Sequence, residues 1–265
     1  MGDGMDLIPQ SRFHVRRITA QYLPAGMLFI GLLVVWEVYV EVAKLPPYIL
    51  PAPTKILQVI WESRDILLRH TWITLGEILV GFILAMGAGL SLGIAIVYSQ
   101  VLEKVLYPLV IASQTIPVFA IAPLLIIWFG YGLAPKVFMA AIIAFFPLVV
   151  NTVDGLRSVD LELLNLMKTL KATPWQLFLK IRFPAALPFI FSGMRVAVAV
   201  SVIGAVFGEW VGSDIGLGFL MKRSNAQLRT DLLFAAIIVL SVLGVGLFAL
   251  VTVLERFCLP WRVRK

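Results

Sequence analysis

A chain of 265 residues that is 60% hydrophobic and only 14% charged, with a mean hydropathy of +0.97, carries too little polar surface for a soluble globular domain. Its net charge of +7 matches what membrane topology and attraction to anionic headgroups require, and nucleic-acid binding is a poor reading of it. The single Cys258 excludes a disulfide within one chain, and with only two histidines, His14 and His70, a metal site is disfavoured; all three are read as interfacial or solvated groups.

A transmembrane helix needs about 20 mostly apolar residues, and six stretches qualify: 24–43, 72–98, 105–130, 135–153, 188–212 and 232–254. Runs such as LSVLGVGLFALVTVL are apolar on every side, which excludes the dyad alternation of a membrane barrel. The expected fold is an all-α integral membrane protein, one transmembrane domain over 1–265 with a polar leader at 1–21 that is retained. No separate soluble domain is expected.

Between the first two spans, PPYILPAPTKILQVIWESRDILLRH (46–70) reads as a proline-rich turn and an interfacial helix, with Ile56, Leu57, Ile60, Leu67 and Leu68 forming the apolar pattern around Trp61. The second span repeats small residues every four positions at Ala85, Gly89 and Gly93, joined by Gly76 and Gly81, spacing that lets another helix of the subunit, or of a second copy, approach closely. Three prolines in the third span, Pro108, Pro117 and Pro123, remove backbone donors and predict a kinked helix beside a cavity.

Polar groups at membrane depth are costly and are candidate pathway positions. Ser113, Gln114 and Thr115 cluster before Pro117, and Arg195, Ser201 and Glu209 lie along the fifth span. For Arg195 and Glu209 a structural or interfacial role stands beside the pathway reading, and for Glu37, Glu41 and Glu77, near outer span ends, the interfacial reading is preferred. The glycine-rich loop 212–231 suits a docking surface or a short re-entrant piece.

With both termini and the loop 154–187 placed inside, Lys and Arg are enriched on the cytoplasmic side. That loop is polar where the bilayer needs nothing polar. Ser158 is the expected cap of a helix with Asp160 and Glu162 in its first turn and an apolar stripe at Leu163, Leu166, Met167 and Leu170. Thr173, Pro174 and Gln176 have the spacing of a capping box restarting a second helix, on which Trp175, Phe178 and Ile181 share a face until Pro184 closes it. Such a hairpin either docks a partner or lies on headgroups with Lys168, Lys171, Lys180 and Arg182 toward lipid. No nucleophile elbow, P-loop or H-E-x-x-H motif occurs, so ATP hydrolysis by this chain alone is not expected.

The hairpin resembles the cytoplasmic loop of binding-protein-dependent ABC importer permeases, whose pattern is Glu-Ala-Ala, three residues, Gly, nine residues, Ile, one residue, Leu-Pro. Ile181 and Pro184 match; Phe183 stands for Leu, Asn165-Leu166-Met167 for Glu-Ala-Ala, and Lys171 for the turn Gly. LPAPTKIL, IPVFAIAPLLIIWFGYG, AFFPLVVNTVDGLRSVD, RFPAALPFIFSGMRVA and GEWVGSDIGLGFL are similar to stretches of the nitrate, sulfonate and taurine type of permease, so the resemblance covers about residues 45–255.

The resemblance implies a bacterial inner-membrane transport subunit, not an enzyme, that binds no cofactor itself while a separate cytoplasmic ATP-binding subunit uses ATP and Mg. It implies a second permease copy as a homodimer, an extracytoplasmic solute-binding protein, and ATPase coupling through Leu166, Met167, Lys171, Ala172, Thr173 and Trp175. The wording FAIAPLLIIWFGYG and GEWVG…SNAQLRTDLLFA is closer to permeases for riboflavin or the thiamine pyrimidine than to the taurine branch, and Gln114, Trp128, Phe129 and Trp210 are candidates for contacting a heterocycle. An ion-coupled secondary transporter and a membrane-embedded enzyme or scaffold are the competing classes; the first lacks an internal repeat and the second a catalytic constellation.

Overall fold

Helix α1, Ser11–Val42, opens the computed structural model, which describes residues 11–260, with side-chain surroundings from residue 24 onward. The expected polar leader 1–21 therefore lies outside the described residues up to 10, and its remainder is already the start of α1. Pro24–Val42 is its apolar, membrane-length part, and it touches the rest of the protein mainly through the next helix.

Helix α2, Pro53–Glu62, lies where a helix is expected between the first two spans. It buries Ile56 and Val59 while Leu57 and Trp61 face outward, and the expected pattern's Leu67 and Leu68 lie on the next helix, the first buried and the second exposed, so only part of that pattern is a packed face. Its N-terminus is tied back to α1 by Glu37, which accepts hydrogen bonds from the Thr54 amide (3.0 Å) and hydroxyl (2.6 Å). After a break at Ser63, α3 runs Arg64–Tyr98. At 1.5 Å per residue its 35 residues span about 52 Å, far more than a hydrocarbon core of about 30 Å, so it begins before the apolar window that defines it in the sequence.

The third apolar stretch is two helices, α4 Gln100–Ser113 and α5 Val118–Phe129, meeting at 102°. Pro117 breaks the ladder and caps α5, whereas Pro108 and Pro123 sit inside α4 and α5 without ending them. Helix α6, Leu133–Arg157, is the hub, packed along α3 on one side and α9, Phe183–Gly212, on the other. Helix α7, Leu161–Thr169, and α8, Pro174–Leu177, make the hairpin expected in the loop 154–187; α10, Leu217–Ala226, and α11, Thr230–Cys258, follow α9. The expected loop 212–231 thus holds a helix seated on α11 and α9.

The close seams are made of glycine. A methyl group added at Gly81, Gly89 or Gly93 would come within 2.7–2.8 Å of Ala140, Leu148 or Thr152, so the small-residue stripe of α3 packs on α6 within the subunit. Gly193, Gly204 and Gly208 do the same from α9 against Asn151, Ala140 and Lys136. Among the described residues five helices are long and apolar enough to cross a membrane, or six if the bent α4–α5 pair is counted as one span, in line with the expected all-α membrane fold.

Candidate functional site

The α7–α8 hairpin is built from three capping devices. Asp160, not Ser158, caps α7, its carboxylate accepting from the Glu162 amide at 2.9 Å; Ser158 instead ends α6, its hydroxyl donating to the Gly155 carbonyl. The end of α7 is a Schellman motif: the Lys171 amide donates to Lys168 O (2.9 Å) and the Ala172 amide to Met167 O (3.0 Å), satisfying the last carbonyls. Lys171 accordingly takes φ +56°, the left-handed conformation that glycine adopts most easily. Thr173 and Gln176 then form both arms of the expected capping box, at 3.3 and 2.9 Å.

Pro184 does not close the hairpin. Helix α8 passes through a π turn, Phe178–Arg182, directly into α9: the Phe183 amide bonds back five residues to Phe178 O, and this widened turn stands where Pro184 removes a backbone donor from the ladder. Pro174–Gly212 is consequently one 39-residue helical rod, about 58 Å long at 1.5 Å per residue. Its hairpin end is fixed by the Phe178 ring, which contacts Tyr98, Trp175 and Phe183, and by Arg182, whose guanidinium lies 5.5 Å from the Tyr98 ring centroid.

The apolar stripe expected on α7 points away from the protein. Leu164 and Val159 anchor the hairpin inward, while Leu163, Leu166 and Leu170 are 44%, 57% and 68% exposed. Among the expected coupling residues, Lys171 and Thr173 are also exposed, Trp175 is 66% exposed, and Met167 and Ala172 are half-buried.

At the α4–α5 break, Ser113, Gln114 and Thr115 form the corner. Its backbone is satisfied by tight bonds from the amides of Gln114, Thr115 and Ile116 to Ile111, Ala112 and Ser113, supplemented by the Ser113 and Thr115 hydroxyls donating to Val110 O and Ala112 O. Ser113 borders a cavity of about 460 Å³ with Leu84, Phe138, Ile142, Phe145 and Phe146. Gln114 and Thr115 are exposed beside it. Trp128 is exposed, Phe129 stacks on Phe138 at 4.5 Å, and Trp210 lines a separate outer cavity with Lys222 and Asn225.

The remaining polar candidates are not together. Ser201 is buried and its hydroxyl donates to Val198 O. Arg195 pairs with Glu255 of α11 at 2.8 Å. Glu209 is fully buried within a network, at the end of the helices remote from the hairpin, that sequence reading does not assemble: Lys136 Nζ to Glu77 Oε1 at 2.9 Å, the Thr74 hydroxyl to Glu209 Oε1 at 2.6 Å, the Gly218 amide to Glu209 Oε2, and the Gly216 amide to His70 Nδ1 at 2.9 Å. His70 is therefore a half-buried structural ligand of the backbone and not a solvated group. The clue in the sequence is Gly208, whose missing side chain lets α6 bring Lys136 against α9 one residue before Glu209. Among the described residues, no group of His, Cys, Asp and Glu has the arrangement of a metal site.

Residues 78–258 match the family described as the binding-protein-dependent transport system inner membrane component. The chain is 43% identical to a probable ABC transporter permease protein of Haemophilus influenzae, covering 87% of this chain and 95% of that one. It is 39% identical to the formylaminopyrimidine transport permease ThiX of Halalkalibacterium halodurans (92% and 98% covered), and 40% identical to the riboflavin transport permease RibX of Chloroflexus aurantiacus (90% and 89% covered). Its fold is similar to a chain of the inward-facing MetNI methionine ABC transporter, with a TM-score of 0.65 at 18% identity over 74% of this chain and 97% of that chain.

Proposed function

This chain belongs to the family of binding-protein-dependent transport system inner membrane components, the permease subunits of ABC importers, and on that premise we propose that its cytoplasmic hairpin docks a separate ATP-binding subunit and passes that subunit's movement to the spans. The observation that carries this reading is the continuity of the hairpin's second arm with α9 as one helical rod. A rod that protrudes from the bilayer and packs along the hub helix α6 moves as a lever when its exposed end is pushed. The partner would cover the outward stripe of Leu163, Leu166 and Leu170 together with Trp175, an apolar surface that water leaves unsatisfied.

The assembly proposed around it contains a second copy of this chain and an extracytoplasmic binding protein that delivers the solute, with both permease termini cytoplasmic. The solute proposed is a vitamin or vitamin precursor with a heteroaromatic ring, supported by the 39% and 40% identities to ThiX and RibX against 33% to an SsuC sulfonate permease and 26% to TauC. The proposed pathway passes the α4–α5 corner at Ser113, Gln114 and Thr115, where Phe138, Phe145 and Phe146 offer apolar faces to a flat ring. Sulfonate, taurine or nitrate is the alternative cargo.

Leu166→Asp tests the docking. Because Leu166 is exposed, the variant should insert and fold as the parent does, yet lose co-purification with the ATP-binding subunit and substrate-stimulated ATP hydrolysis. Unchanged association and hydrolysis would refute the proposed docking face. For cargo, calorimetric titration of the binding protein that stimulates ATP hydrolysis by the assembled transporter, with riboflavin, formylaminopyrimidine and taurine, decides between the classes: binding of either heterocycle supports the vitamin reading, and binding of taurine alone refutes it.

A further inference from the structure

The outer network contains a hydrogen-bonding count that does not close without a proton. Glu209 has donors for both of its oxygens: the Thr74 hydroxyl on Oε1, and the Gly218 and Phe219 amides on Oε2. Glu77 Oε1 receives Lys136 Nζ at 2.9 Å. Glu77 Oε2, however, is buried and reached by no N–H or O–H of another residue, and the Glu77 carboxyl lies beside that of Glu209. Both carboxyls are fully shielded from solvent, and Lys136 is 5% exposed.

Two carboxylates in contact in such a place, beside one ammonium, would leave a buried net negative charge, which is among the most unfavourable arrangements a protein can hold. One proton removes both problems at once. It supplies the donor that Glu77 Oε2 lacks, and it brings the set Lys136, Glu77 and Glu209 to zero net charge.

We propose that Glu77, Glu209 and Lys136 form a proton-binding site in which a single proton is shared between Glu77 Oε2 and the Glu209 carboxyl, making a neutral latch for the ends of α3, α6 and α9 remote from the hairpin. The latch also holds the segment 213–218. Thr74, one turn before Glu77, accepts from the Leu217 amide at 2.8 Å while donating to Glu209, and His70, one turn earlier, accepts from the Gly216 amide. The other charged groups around the site are Asp214, which borders a cavity shared with Lys136, and Arg69 and Arg223, which lie near His70. None of these faces Glu77 Oε2 as a donor.

Gln at position 77 reproduces the proposed state, since its amide donates to Glu209 and its carbonyl accepts from Lys136. The test combines infrared spectroscopy with thermal unfolding of the purified full-length permease in lipid nanodiscs at neutral pH. The expected result is a protonated-carboxyl stretching band in the wild type that disappears in Glu77→Gln, with Glu77→Gln melting with the wild type and both Glu77→Ala and Lys136→Met melting lower. A plain Glu77–Lys136 ion pair predicts the reverse: no such band, and Glu77→Gln as unstable as Glu77→Ala, because Lys136 loses its counter-charge. Absence of the band, its persistence in Glu77→Gln, or failure of Glu77→Gln to fold would each overturn the proposal.

Discussion

Replacing Gly204 by alanine tests the packing logic that holds α9 to the hub. A Cβ at Gly204 would lie 2.7 Å from Ala140 Cα, 2.9 Å from Met139 O and 3.0 Å from Ala140 N, all backbone atoms. Ordinary carbon contacts fall near 3.5–4.0 Å, so the two helices must separate by about 1 Å, and no side chain can rotate to relieve it. Overpacking of this kind costs about 1–3 kcal/mol, the upper part of that range applying where backbone must move. Alanine returns about 1 kcal/mol of helix propensity relative to glycine, leaving a net loss of about 1–2 kcal/mol. Gly246 on α11 has no atom within 4 Å of its virtual Cβ, so Gly246→Ala gains the propensity without the clash. Thermal unfolding of the two variants in the same detergent should place Gly204→Ala below the wild type and Gly246→Ala at or above it. Equal melting temperatures would show that the α6–α9 seam is looser than its glycines require.

Three further outcomes follow from the local chemistry. Lys171→Gly should raise hairpin stability by up to about 1 kcal/mol by relieving the left-handed strain, whereas Lys171→Val should lower it; amide hydrogen exchange across 165–177 reads both. Thr173→Ala should cost about 1 kcal/mol of the same hairpin, and Thr173→Asp, which keeps an N-cap acceptor, should retain its protection. Arg195→Met should destabilise the fold more than Arg157→Met, because the Arg195–Glu255 pair is 26% and 10% exposed while the Arg157–Glu103 pair is 38% and 44% exposed and is worth at most about 1 kcal/mol; chemical unfolding measures the difference.

What the sequence discloses follows its periodicities. Uniformly apolar runs give the spans, and the spacing of Thr173 and Gln176 gives the capping box, because these are local rules that tertiary packing did not override. Local rules mislead where two neighbours compete for one role: Ser158 and Asp160 are both good caps, and the carboxylate takes the helix start. Pro184 reads as a stop, but the π turn just before it carries the chain on into α9, so the continuity of the proposed lever is hidden. The turn at Lys171 shows the opposite case, in which hydrogen bonds to Met167 and Lys168 hold a left-handed residue that the side chain disfavours. The outer network is invisible for a different reason. Glu77, Lys136 and Glu209 are 59 and 73 residues apart in sequence, and only the glycine-thin seams between three helices bring them together.

The lever is most directly tested by softening the rod while leaving its knob intact. Leu179→Gly with Lys180→Gly places two glycines at exposed positions of the π turn, each lowering helix stability by about 1 kcal/mol, without touching α7 or the capping box. The measurement is solute uptake per ATP hydrolysed in proteoliposomes holding the complete transporter with its binding protein. Rigid coupling through α8 and α9 predicts that the ATP-binding subunit still assembles and hydrolyses ATP while uptake per ATP falls steeply; uptake per ATP equal to the wild type would contradict it.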